Sequence, residues 1–273
     1  MTADHEPARA PSQGVLRSAR RLQSRKGREA ASEFLAEGPQ AVREAVAAGV
    51  VTRCFVSPEG EERLQALVTA AREAGAEVYR VSETELAGIS DTVTPQGIVA
   101  TCRDTPGGLD ELLATRPRLV VVCAQVRDPG NAGTVIRCAD AFGAEGVVLT
   151  QGSVEVSNPK TVRASVGSLF HLTVATGPSL AETVAALKEN GLRVYAADGS
   201  GSVSLTDLER TGDLQGRVAW IFGNEAWGLP AEDRALADRV VRVPMWGRAE
   251  SLNLATAAAV CLYSTSAAQH RKP

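Results

Sequence analysis

Three short stretches of this chain place polar residues among glycines, where a plain connection has no use for them. In the first, Asn131, Gly133 and Arg137 have N-x-G-x-x-x-R spacing directly after the apolar run Leu119–Val126. Arg137 is the only charge between Asp128 and Asp140. A planar, permanently charged guanidinium just past a glycine-bearing helix start suits a phosphate or a developing anion. A solvated arginine and an Asn131 that merely caps the helix fit the same spacing. In the second stretch, Gly223, Glu225 and Gly228 follow the run Val218–Phe222. The glycines let backbone approach a ligand closely and Glu225 supplies a fixed acceptor, although a tight turn with a solvated glutamate reads the same way. The third runs from Val243 through Met245, Ser251, Leu252 and Asn253 into an alanine-rich segment. Ser251 is a candidate N-cap, and Asn253, a poor helix former, needs another reason to stand there. Ala255, Ala257, Ala258 and Ala259 permit close packing, against a partner element or inside the subunit.

Other chemistries find little support. No G-x-G-x-x-G follows an apolar run and no G-x-x-x-x-G-K-[ST] occurs, which disfavours a dinucleotide oxidoreductase and a P-loop NTPase. Cys54, Cys102, Cys123, Cys138 and Cys261 are odd in number and widely spread, with no zinc-binding spacing. They read as reduced, mostly buried small hydrophobes, and no metal is expected. His5, His171 and His270 leave little room for a histidine-based site, and His171 reads as a strand residue. The longest apolar stretches fall far short of the roughly 20 residues of a membrane span, and the N-terminus lacks a secretory apolar core. A cytoplasmic protein is expected.

The elements that must position these residues follow from periodicity. The 273 residues, 44% hydrophobic, suffice for one large or two ordinary domains. Residues 1–14 are polar and aperiodic and are expected to be disordered. The stretch Glu33–Gly49 shows helical spacing from Pro39 onward. Strands are expected at Thr52–Ser57, Glu77–Ser82 and Gly97–Arg103, with helices at Glu62–Gly75 and Glu83–Ile89. Residues 15–103 thus form a small α/β domain, and 104–117, with Pro-Gly-Gly and a polar short helix, suits a linker or boundary. A second alternation fills 118–270. It has strands at Leu119–Val126, Gly146–Thr150, Arg193–Ala197, Val218–Phe222 and Val240–Val243, and helices at Gly130–Gly143, Lys160–Phe170, Ser179–Gly191 and Ser251–Ala268. Continuous apolar strands between helices imply a parallel sheet covered on both faces, whose ligands gather at the strand carboxyl ends.

Taken together and in order, the three stretches closely resemble the motifs of the SpoU (TrmH-like) RNA ribose 2′-O-methyltransferases of the SPOUT superfamily. The resemblance spans roughly residues 119–268. Residues 21–38 and the α/β pattern to Arg103 resemble, more loosely, the L30e-like substrate-binding domain that precedes many such catalytic domains. The resemblance implies an α/β protein with a trefoil-knotted C-terminal domain, S-adenosylmethionine as cofactor and a homodimer. Periodicity alone gives an ordinary doubly wound sheet, since knots are rare.

Carried over by position, the resemblance implies roles for particular residues. Arg137 would help activate the ribose hydroxyl, with Asn131 beside it; Glu225 would order the site, and Ser251 and Asn253 would position the target nucleotide. Ala197, Gly223, Val243, Met245 and Leu252 match cofactor-binding positions. Arg17, Arg20, Arg21, Arg25, Lys26 and Arg28 form an acid-free basic stretch that would meet RNA, as would Lys160 and Arg163, although a disordered solvated arm for the first six and a solvated helix face for the last two fit these charges too. The expected substrate is 23S rRNA. A tRNA ribose methyltransferase, a non-catalytic RNA-binding or ribosome-assembly factor, and an antibiotic self-resistance role are the competing readings.

Overall fold

The computed structural model describes residues 8–105 and 107–271. The chain packs as two compact units. One comprises the residues up to Thr105 together with Ser157–Phe170, and the other comprises the rest. The segment 157–170 therefore packs apart from the block 118–270 in which the sequence placed it.

The first unit holds a mixed sheet of β1 (Glu33–Glu37), β2 (Val51–Val56), β3 (Glu77–Arg80) and β4 (Ile98–Arg103), in the order β1-β4-β2-β3. β1 and β2 flank β4 antiparallel, and β3 joins β2 in parallel. Strand β1 was hidden in the sequence because Phe34-Leu35-Ala36 is buried without alternation and runs straight into the helix Pro39–Ala47. The basic stretch is no loose arm. It folds as two helices, Gln13–Arg21 and Arg25–Ala31, capped by Ser12 and Ser24. Leu16, Ala19 and Leu22 lock the first of these onto Leu35, Phe55 and Val99.

Order also begins earlier than expected. Residues 8–14 are not disordered, because Arg80 N donates to the Arg9 carbonyl at 3.0 Å and the first helix starts at Gln13. Residues 1–7 lie outside the described residues. The expected helix Lys160–Phe170 is shorter, at Pro159–Ser165. It stops where Val166 turns left-handed at φ 52°, and a 3-10 turn, Ser168–Phe170, follows.

The second unit is built on a seven-stranded parallel sheet. Its strands are β5 (Leu119–Cys123), β6 (Gly146–Leu149), β7 (Thr173–Thr176), β8 (Arg193–Ala197), β9 (Val203–Ser204), β10 (Val218–Phe222) and β11 (Arg239–Arg242), ordered β7-β6-β5-β10-β8-β11-β9. The short helix expected in the linker is present, and part of the linker joins this unit. Gly107 bridges to Ala175 of β7, and Leu109–Ala114 is a helix that buries Leu112 and Leu113. His171 stands in an exposed turn before β7, its Nδ1 2.8 Å from the Asp140 carboxylate, and is not a strand residue.

Every residue of β5 and β10 is buried, as a central parallel strand requires. Trp220 sits at the centre of this core, stacks with Phe222 and donates Nε1–H to Thr265 Oγ1 at 2.9 Å. That bond ties the long C-terminal helix Leu254–His270 to the sheet. Phe222 is level with both Cys123 and Ala197 in the parallel register. The loops leaving β5, β8 and β10 therefore emerge side by side, joined by the one leaving β11.

Candidate active site

The loop after β10 is a closed hairpin. Asn224 and Gly228 exchange backbone hydrogen bonds at 3.1 and 2.9 Å, with Gly228 at φ 65°. A Cβ on Gly223 would come within 2.5 Å of the Gly228 carbonyl, so glycine is required there for the hairpin itself. Asn224 is buried and fixes the hairpin to its neighbour. Its Nδ2 donates to the Gln125 carbonyl at 2.7 Å, and its Oδ1 accepts from Ala226 N at 2.9 Å. Gln125 is itself left-handed, at φ 53°, and is held there by its N–H to Thr150 Oγ1 at 3.1 Å. Backbone in so sparsely populated a region persists only where its surroundings fix it.

Glu225 is exposed in this turn, but its carboxylate is engaged. Its carboxylate accepts from Arg127 N at 3.2 Å, Asp128 N at 3.1 Å and Asn131 Nδ2 at 3.3 Å. Asn131 is not the helix cap. Asp128 caps the helix Pro129–Ala141 by accepting from Asn131 N at 2.7 Å, which leaves the Asn131 side chain free to reach across the site. Asn131 Oδ1 accepts from Asn253 Nδ2 at 3.0 Å, while Asn253 Oδ1 caps the C-terminal helix through Ala255 N and Thr256 N. The cap expected at Ser251 is thus taken by Asn253, and Ser251 stays exposed. The amide chain has one polarity, Asn253 to Asn131 to Glu225, and it joins all three motif loops.

Beside this chain lies a cavity of about 620 Å³. Its lining includes Ala197, Gly223, Val243, Met245, Ser251 and Leu252, with Asp198, Glu225 and Glu250 as carboxylates and Arg242 as a cation. Sequence reasoning missed Asp198; its signal was a carboxylate directly after the run Arg193–Ala197. Burial works to raise its carboxyl. Hydrogen bonds from Ser200 Oγ at 2.6 Å and Ser200 N at 2.9 Å, together with Arg234, outweigh burial and hold it below the ordinary carboxylate range. Burial also pushes the Cys123 thiol, at the end of β5, up to about 12, with the Glu225 charge adding.

Arg137 is exposed and outside the cavity lining. Six residues past Asn131 on a helix it is turned by about 240°, so the two cannot share a face. Among the described residues no group of three or more His, Cys, Asp or Glu stands ready to hold a metal ion.

The SpoU rRNA Methylase family profile matches residues 118–263, which include every residue of the chain Asn253–Asn131–Glu225. The protein belongs to the SpoU rRNA Methylase family. A second profile, the MRM3-like substrate binding domain, matches residues 15–100. Among the relatives of this SpoU protein is the 23S rRNA (guanosine(2553)-2′-O)-methyltransferase RlmP of Bacillus subtilis, 35% identical over 89% of this chain and 92% of its own. Two solved structures share the architecture. The AdoMet-bound rRNA methyltransferase from Sinorhizobium meliloti has TM-score 0.81 and 29% identity, over 95% of this chain and 97% of its own. The SpoU methyltransferase AviRb from Streptomyces viridochromogenes, in complex with AdoMet, has TM-score 0.80 and 29% identity, over 93% of this chain and 98% of its own.

The remaining candidates of this SpoU protein divide by environment. Arg17, Arg20, Arg21 and Lys26 are exposed, and Arg25 pairs with Glu29. Arg28 is not a surface cation: it is 3% exposed and donates to the carbonyls of Leu22 and Gln23 at 3.0 and 3.1 Å. Its guanidinium closes the end of the first helix. Arg163 is committed to Asp91 at 3.1 Å, whereas Lys160 is exposed. No helix among the described residues is long and apolar enough to cross a membrane.

Proposed function

We propose that this protein transfers the methyl group of S-adenosylmethionine to a ribose 2′-hydroxyl of 23S rRNA. The observation that carries this reading is the hydrogen-bonded chain Asn253–Asn131–Glu225 beside the 620 Å³ cavity. The rRNA target follows the names of the relatives, and the cofactor follows the two AdoMet-bound structures.

The lining fits that cofactor. The volume is that of an ordinary cofactor pocket, apolar side chains suit an adenine, and three carboxylates against one arginine suit a sulfonium and an ammonium. Ala197, Gly223, Val243, Met245 and Leu252 would hold it, with Asp198 added. When bound, S-adenosylmethionine supplies an electrophilic methyl group, and transfer then depends on alignment.

The chain's own residues must supply the nucleophile. A ribose hydroxyl is a weak acid, so its oxygen gains reactivity only as its proton leaves or its charge is stabilised. A guanidinium offers donors and no acceptor for a proton, so Arg137 is not assigned as the base. It makes no hydrogen bond or ion pair among the described residues, which leaves its fork open to a ribose phosphate or the forming alkoxide. Glu225 orders the segment from Arg127 to Asn131 through its three bonds, and Ser251 and Asn253 position the target nucleotide.

The homodimer belongs to the same proposal. The helix Leu254–His270 carries no Asp, Glu, Lys or Arg, yet its Tyr263 is 62% exposed, as befits a face that a second copy covers. The trefoil knot is supported by β10 lying between β5 and β8 and by the return of the C-terminal helix onto the helix Pro129–Ala141. The exposed arginines of the N-terminal helices would supply salt-dependent RNA affinity.

The test is transfer of label from S-adenosylmethionine to unmodified 23S rRNA, followed by mapping of the 2′-O-methyl position. RNA binding without transfer would instead identify a non-catalytic factor. Labelling of tRNA alone would identify a tRNA enzyme.

A further inference from the structure

Trp227 keeps much of its ring in solvent. It is 48% exposed at the tip of the β10 hairpin, whereas the core tryptophan of this unit, Trp220, is wholly buried and hydrogen-bonded. Exposing so large an apolar ring costs stability, and a smaller residue would close the same turn.

The mount beneath it is rigid. Asn224 and Gly228 bond each other across the hairpin, Asn224 is anchored to Gln125, and Glu225 is anchored to three donors at the end of the neighbouring loop and the start of its helix. One of those donors is the backbone of Arg127, whose guanidinium carbon lies 5.0 Å from the centroid of the Trp227 ring. The residue that orders the site therefore also fixes the partner of the tryptophan.

We propose that Trp227, backed by Arg127, is a stacking platform for an unpaired RNA base at the methylation site. The inference rests on reading this cleft as an RNA methyltransferase site, and it names how that site grips its substrate. Single-stranded RNA is recognised by bases laid on aromatic rings, and the contact tolerates any base because each has a π-face. Arg127 polarises the ring from its own side and carries the charge that meets an adjacent phosphate. The surroundings favour RNA over a second copy of this chain. The ring's partner Arg127 is an exposed cation, which suits a phosphate-bearing strand, whereas subunit interface cores are poor in charge.

The test uses the full chain and three variants, W227A, W227F and W227L. With unmodified 23S rRNA, W227A is expected to raise the KM for RNA about tenfold or more, since loss of one base stack has that order of effect. Its affinity for S-adenosylmethionine and its sedimentation mass should be unchanged. W227F should recover most of the loss and W227L little of it. An unaltered KM in W227A, or equal recovery by Leu and Phe, overturns the platform. A changed mass assigns the ring to a contact between copies.

A second measurement stands apart from turnover. In a W246F background, the remaining exposed tryptophan fluorescence comes from Trp227. Quenching by single-stranded oligoribonucleotides, and its absence with duplex RNA of the same sequence, is expected. If the protein transfers no methyl group but this quenching is seen, the proposed activity fails and the platform stands. Equal quenching by both RNAs, or none by either, removes the platform whatever the activity.

Discussion

Asn253 Nδ2 lies 3.0 Å from Asn131 Oδ1, across 122 positions of sequence, and the same Asn131 passes the interaction on to Glu225. Each amide has a fixed orientation, because Asn253 must accept at the helix cap and Asn131 must donate to a carboxylate. Asn131→Asp would put a second carboxylate against Glu225. Like charges that close raise the pKa of one of the pair. A carboxyl whose folded pKa is raised favours the folded state at low pH, and that advantage is lost as pH rises above about 4. The variant should therefore fall further below its parent in Tm as pH rises toward neutrality. A pH-independent Tm difference would show that the two side chains do not meet.

Arg137→Ala is expected to remove transfer without removing the fold. The side chain is exposed and unbonded among the described residues, so the change in stability should stay within about 0.5 kcal/mol. If it stabilises developing charge, kcat should fall by about two orders of magnitude or more. Cofactor affinity by equilibrium dialysis should be preserved. Unchanged single-turnover rates would refute the role.

The basic N-terminal helices predict a salt signature. Neutralising Arg17, Arg20, Arg21 and Lys26 should weaken RNA binding and flatten the dependence of log K on log salt by up to about 3, if all four touch phosphates. Arg28→Ala supplies the contrast. It should lower Tm with no such change in slope, because its guanidinium serves backbone carbonyls. An unchanged slope in the fourfold variant would leave the patch without a part in binding.

Cysteine reactivity should follow burial. Burial pushes the thiols of Cys54, Cys123 and Cys261 up to about 12 and that of Cys102 well above its ordinary value. Cys138 is only half-buried; burial raises its thiol and Arg137 partly offsets the rise. A thiol reagent at neutral pH should label Cys138 first in the folded protein, and all five cysteines after denaturation. Arg137→Ala should slow the labelling of Cys138. Equal rates at all five sites would contradict the packing.

The sequence by itself determined the parallel sheet of the second unit, because runs such as Leu119–Ala124 and Val218–Phe222 have no polar face to expose. It also marked the three loops, since glycines with isolated polar residues at strand ends have few other uses. Strand β1, the two basic helices and the burial of Arg28 were hidden. Phe34-Leu35-Ala36 lacks alternation, short helices carry weak periodicity, and an arginine's partners are backbone carbonyls that leave no trace in residue type.

Only the tertiary structure decided what each polar residue does. Asn131, Glu225 and Ser251 each had a local alternative, as a cap or a solvated turn, that the sequence could not separate from a site. The parallel register of β5, β8 and β10 brings their carboxyl ends level, and the caps then fall to Asp128 and Asn253. Asn131 and Glu225 are thereby left to bond each other. Spacing along a chain fixes local turns, whereas a hydrogen bond between positions 131 and 253 exists only after the sheet has set their distance.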